Sequence, residues 1–106
     1  MTTEAAIELV RRFARRVEAS GIPVESAFLF GSHARGSAGK WSDIDACIVS
    51  PVFGKDRHDE RVLLLNLRLE VSDLIEPHPM SPQEIAEPLD PLANEIRRQG
   101  IRVPLQ

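Results

Sequence analysis

Apolar residues recur at helical spacing over the first twenty positions and in strand-like runs over the next thirty, and these two periods divide the chain. Ala6, Leu9, Val10, Phe13, Ala14 and Val17 lie on one stripe of a helix. That helix is predicted to run to about Ala19, capped by Thr2 or Thr3, with Glu4 in its first turn and Gly21 as its stop. Arg11, Arg12, Arg15 and Arg16 fill the remaining circumference with Glu8 and Glu18 among them, the pattern of a solvated face. Val24 to Phe30 is apolar on both faces near its end, as a covered central strand should be. Ser32 to about Ala38 predicts a short helix, GSAGKW a returning loop, and Asp43 to Ser50 a second strand closed by Pro51.

Arg61 to Leu69 predicts a second long helix, starting as early as Asp56 or Asp59. Val62, Leu65 and Leu69 fall on one of its sides, Leu63 and Leu67 on another about a third of a turn away. A helix on a small sheet does not need so wide an apolar arc, so either the C-terminal segment or a partner should cover it. Glu70 to Pro77 reads as the third strand, ended by its proline. Five of the eight prolines lie between Pro77 and Pro91, which makes that stretch a rigid, extended wrap. Ser81 with Glu84 is a capping box, Pro91 to Gln99 a last helix stopped by Gly100, and Ile101 to Val103 an edge strand. The expected architecture is α+β, a small mixed β-sheet flanked by helices, in one domain over residues 1–106.

Composition narrows the function classes. Apolar residues at 42% and charged residues at 27% describe an ordinary globule. A net charge of −3 counts against a broad nucleic-acid-binding surface. The single cysteine, Cys47, on an apolar strand, excludes an internal disulfide framework and reads as a buried structural residue. No apolar run approaches a membrane span and the N-terminus lacks the basic-then-apolar pattern of a secretion signal, so cytoplasm is the expected location.

The chemistry concentrates between Ala27 and Val49. Asp43 and Asp45, two apart on a strand, present paired carboxylates to one face. Such a pair repels itself unless a cation intervenes, and a hard divalent ion is the usual solution. Gly31-Ser32 follows an apolar strand and opens a helix, a position suited to holding phosphate. Carboxylates and a phosphate cradle on neighbouring strands point to phosphoryl or nucleotidyl transfer.

Gly31-Ser32, ten intervening residues, then Asp43-Ile44-Asp45 resembles the signature of the DNA polymerase β-like nucleotidyltransferase superfamily. The fuller string GSHARG…SDID is similar to its minimal nucleotidyltransferase branch, whose members often pair as antitoxins with a helical protein of the HEPN type. The resemblance implies two Mg²⁺ ions, ATP as donor of AMP, and a hydroxyl of the partner protein as acceptor. A partner or a second copy of the chain would complete the acceptor site. Nucleotide contacts fall on Gly31, Ser32 and Arg35, with Lys40 a weaker candidate.

The family's third carboxylate lies on the strand after the long helix, where this chain offers Asp73 and Glu76, pointing to opposite faces. The phrase IEPHP favours Glu76, making Asp43, Asp45 and Glu76 the expected catalytic and metal-binding set. Ser42 is expected to cap a turn, His33 to have no role as a base, and Trp41 to serve packing rather than base stacking. Two other readings stay open: a non-catalytic module that neutralises a toxin by contact, and a small-molecule nucleotidyltransferase.

Overall fold

The computed structural model describes residues 1–106. Helix α1 (Thr3–Ala19) is capped by the Thr2 hydroxyl, which accepts from the Ala5 N–H, and the chain leaves it through Gly21 at φ 98°. Strand β1 (Ser26–Phe30), the four-residue helix α2 (Ser32–Arg35) and strand β2 (Ile44–Val49) follow. Helix α3 (Arg57–Leu67), extended by a 3₁₀ turn at Arg68–Glu70, crosses to strand β3 (Ile75–Met80). Two short helices, α4 (Pro82–Ile85) and α5 (Pro91–Gln99), and a two-residue strand β4 (Ile101–Arg102) complete the chain. No helix is long and apolar enough to cross a membrane.

The four strands form one mixed sheet in the order β3-β2-β1-β4. β1 is antiparallel to β2 and β4, while β2 and β3 run parallel and are joined across α3. The α+β architecture is therefore as expected.

The two faces of the sheet bury different things. One packs against α1 and α3 in the larger core, where Val10, Phe13 and Val17 meet Leu29, Ile44, Ile48, Leu64 and Ile75. The other carries Phe30, Cys47, Val49 and Met80, covered by Ala93 and Ile96 of α5. Desolvation by this burial pushes the Cys47 thiol up to about 12, with Glu84 adding slightly and Arg57 opposing, so the cysteine is inert.

The third strand corrects the sequence reading. It spans Ile75–Met80, not Glu70–Pro77, and its ladder continues through Pro77 and Pro79. Both prolines are tolerated because β3 is an edge strand. The carbonyls of Leu74 and Met80 accept from Ile44 and Ser50 of the β2 segment. Alternation then turns Glu76 and His78 to the same partner and leaves the proline nitrogens on the open side. On that open side, Arg68 Nη1 donates to the Ile75 carbonyl at 2.7 Å, which blunts the edge.

Helix α3 also differs from expectation. Its buried ridge is Leu64 and Leu67, whereas Val62, Leu63 and Leu69 are exposed and the C-terminal segment does not cover them. Asp56 caps the helix, and the Glu60 carboxylate accepts from the consecutive backbone N–H groups of Gly54, Lys55 and Asp56 at 3.0, 3.0 and 3.2 Å. Desolvation opposes the charge on Glu60, yet the three donors outweigh it and hold the carboxyl below its usual range.

Leu64→Ala should remove roughly 2–5 kcal/mol of stability, read by chemical denaturation, because it empties the contact between α3 and the sheet. Cys47 should resist alkylation at pH 8 in the folded protein and react once denaturant is added.

Candidate active site

Strand alternation and register together build the acidic end of the sheet. Asp45 lies directly across from Glu76 in the parallel β2–β3 pair and from Phe30 in the antiparallel β1–β2 pair. The neighbouring pair, Ile44 opposite Ile75, points into the larger core. Asp45 and Glu76 therefore share the opposite face, side by side on strands about 4.8 Å apart. Asp43, expected to open the strand and share its face with Asp45, lies instead one residue outside the ladder, exposed, on the loop that enters β2. Asp73 sits on an exposed turn ahead of β3 and pairs with none of these acids.

Each of the two facing carboxylates has its own nitrogen-bearing neighbour. Arg61 Nη2 of α3 pairs with Glu76 Oε1, and His78 Nε2 lies 3.5 Å from Asp45 Oδ1. The repulsion expected of adjacent acids is thus offset at Glu76 by the Arg61 guanidinium. His78, two residues beyond Glu76 on the same face, was assigned no role from sequence. Only the register of β3, which could not be read through its prolines, brings it to Asp45.

Gly31 explains how the backbone comes so close. Its φ of 73° and ψ of −154° belong to a region essentially reserved for glycine. A Cβ built there would stand 2.2 Å from Asp45 Oδ2. The turn between β1 and α2 thus presses bare backbone against the aspartate, whose carboxylate takes the place of any Cβ at Gly31.

The surrounding residues secure this end. Buried His33 reaches the Ser42 carbonyl at 3.3 Å through Nε2, and its own carbonyl accepts from Thr3 Oγ1 at 2.9 Å, so it ties α2 to α1 and to the loop before Asp43. Ser42 Oγ accepts from the Gly39 N–H at 2.8 Å, the turn-capping role expected of it. Trp41 departs from the packing expectation: it is 77% exposed, with the Lys40 ammonium 5.3 Å from its ring centre. Indole packing is impossible there because the loop stands clear of both cores.

Arg35 lies at the C-terminal end of α2, 3.9 Å from Glu95. It lines a polar cleft of about 350 Å³ between α2 and α5 with Asn94, Glu95 and Arg98. A larger cavity of about 450 Å³ involves Glu25, Ser26 and residues 102–106, at the far end of β1 from Asp45, and contains none of Asp43, Asp45 and Glu76. Its size gives it no chemistry, and the carboxylates define the site.

The donor set suits a hard divalent cation: carboxylate oxygens on one face beside bare backbone. The ligands are composed but not assembled. No three Asp, Glu, His or Cys side chains converge at metal-binding spacing, and Glu76 is turned to Arg61.

Residues 8–98 match the nucleotidyltransferase domain family. No curated protein matches the chain in sequence. Among solved structures, a Sulfolobus solfataricus protein provisionally designated a nucleotidyltransferase superposes with TM-score 0.67 at 17% identity, covering 94% of this chain and 80% of that one. A toxin–antitoxin structure with AMP-PNP gives TM-score 0.56 at 17% identity, covering 91% and 73%. A MntA–HpeT toxin–antitoxin variant, in which two aspartates two positions apart are changed to glutamate, gives 0.51 at 18%, covering 100% and 75%.

Gly31→Ala should cost at least about 1–3 kcal/mol through its backbone conformation alone. It should also displace Asp45, which a crystal structure or the loss of divalent-ion binding would register. An unshifted Asp45 in the variant would contradict that close approach.

Proposed function

Because this chain belongs to the nucleotidyltransferase domain family, we propose that the acidic end of its sheet transfers AMP from ATP to a hydroxyl of a partner protein, the hydroxyl oxygen bonding to the α-phosphorus as it loses its proton and pyrophosphate leaves. One observation carries the reading: Asp45 and Glu76 are register partners on one face, with the Gly31 backbone against Asp45. Asp43, Asp45 and Glu76 are the residues that would hold divalent metal, two Mg²⁺ ions on this reading. Such ions supply neutralisation of the triphosphate and a lowered pKa for the attacking hydroxyl when bound.

The chain's own residues do the rest by position. Gly31 and Ser32 receive the phosphates at the turn after β1, beside the Asp45 carboxylate. Arg35, exposed and only loosely paired with Glu95, is available to a phosphate oxygen. Glu76 must leave Arg61 to join the aspartates, so ligand binding and a side-chain rotation are coupled. The released guanidinium is then free to offset charge at the rim.

Two structural neighbours are toxin–antitoxin assemblies, and one was solved with AMP-PNP. These support ATP as donor and a toxin as acceptor, with a HEPN-type helical protein the partner that the sequence motif implies. The aspartate pair altered in one neighbour has the two-residue spacing of Asp43 and Asp45. On this reading residues 1–106 act as one nucleotidyltransferase domain, with the acceptor brought by the toxin or by a second copy of the chain.

Incubation with labelled ATP, Mg²⁺ and the product of the adjacent gene should add one AMP to that product, read by intact mass. Asp45→Asn and Glu76→Gln should each lower transfer at least about a hundredfold, whereas Asp73→Asn should leave it near the native rate. Native transfer by the Asp45 and Glu76 variants would overturn the assignment.

A further inference from the structure

His78 is the one group at the acidic end whose placement neither the motif nor the proposed transfer explains. It stands on β3 two residues after Glu76, projecting from the same face. Its ring packs edge-on to Phe30, centroids 5.0 Å apart at 62°, so the β1 side of the site wedges it in place. Phe30 is the residue that faces Asp45 across the β1–β2 pair. The histidine thus touches two of the three strands that frame the aspartate.

Its Nε2 is buried and has no hydrogen-bond partner. A buried polar atom left unpaired is costly, and native proteins keep few of them. Asp45 Oδ1 lies 3.5 Å away, within the reach of a charged pair but too long for a settled hydrogen bond. A ring nitrogen held just short of a carboxylate oxygen is placed to donate to it with a small side-chain movement. Asp45 is already confined on its other side, where Oδ2 meets the Gly31 backbone. With one oxygen against bare glycine backbone and the other toward His78, the carboxylate has little rotational freedom.

We infer that His78 is a positioning residue, which orients the Asp45 carboxylate for a divalent cation by donating from Nε2 to Oδ1. This rests on the reading of Asp45 as a ligand. Ligating carboxylates are commonly held by a donor behind them, and losing such a donor typically weakens metal binding about 10–100-fold. The ring also fills space beside Phe30, so packing and orientation have to be separated by experiment.

The test titrates Mn²⁺ alone into the folded protein and follows the loss of the free-ion electron paramagnetic resonance signal. His78→Leu keeps the bulk and removes the donor, and should weaken Mn²⁺ binding by tenfold or more. His78→Gln returns an amide N–H close to the position of Nε2, and should restore binding to within about threefold of native. Thermal melts of both variants confirm that the fold survives. Native Mn²⁺ affinity in a folded His78→Leu variant would overturn the inference, as would equal losses in the Leu and Gln variants, which would mark a packing role. Asp45→Asn distinguishes the two levels of the argument. If it abolishes binding while His78→Leu does not, only the role of His78 fails. If the native protein binds no Mn²⁺, or Asp45→Asn leaves binding intact, the ligand reading fails and this inference with it.

Discussion

The parallel pairing of β2 with β3 is the constraint on which the site depends. Parallel neighbours cannot be joined by a tight turn, so the chain must leave the sheet, cross through α3 and return. The return has to land in register, because a slip of one residue would put Glu76 in the core and Ile75 beside Asp45. Several contacts at the ends of the crossover secure the landing. Glu60 gathers three backbone donors ahead of α3, Arg57 reaches Glu84 of α4 at 2.8 Å, and Arg68 holds the Ile75 carbonyl at the first residue of β3. The capping box of Ser81 and Glu84 stops the chain just past the strand.

The same crossover sets the electrostatics. Arg61 is carried by α3 to Glu76, and His78 is carried by β3 to Asp45, so the two facing acids acquire separate counter-groups from one connection. Two such carboxylates with nothing between them would strain the pairing that brings them together. Arg61 offsets the charge of Glu76 within the chain itself. A ligand therefore has to compete for Glu76, which is the condition for a site that assembles when its substrate arrives rather than before.

Much of this was legible in the residues, and the exceptions share a cause. The stripe on α1, the Thr2 cap and the capping box at Ser81 are local patterns, and each lies where its spacing predicts, whereas Asp43 of the Gly31-Ser32…Asp43-Ile44-Asp45 motif falls just before the strand expected to carry it. Strand β3 was misplaced because proline normally ends a ladder, and only the position of a strand within its sheet decides whether its outward nitrogens matter. The buried side of α3 was misjudged because leucines at positions 63, 64, 65 and 67 leave its period ambiguous, and the packing of α1 and the sheet selects Leu64 and Leu67. The link from His78 to Asp45 joins residues 33 positions apart, so no local window contains it.

The division between core and chemistry on β2 lies within one face of the strand. Along one face of that strand Val49 and Cys47 are buried, Asp45 is partly covered and Asp43, just before it, is exposed. Alternation alone would make all four equivalent. What differs is the cover: α5 has nine residues, about 13 Å of helix, and only Ala93 and Ile96 of it are buried against the sheet. On β2 that cover takes in Val49 and Cys47, and on β1 it takes in Phe30, the register partner of Asp45. Asp45 therefore sits at the margin of the apolar cluster, with buried Phe30 on one side and Glu76 on the other. Between Cys47 and Asp45 the strand changes from holding the fold together to presenting a carboxylate.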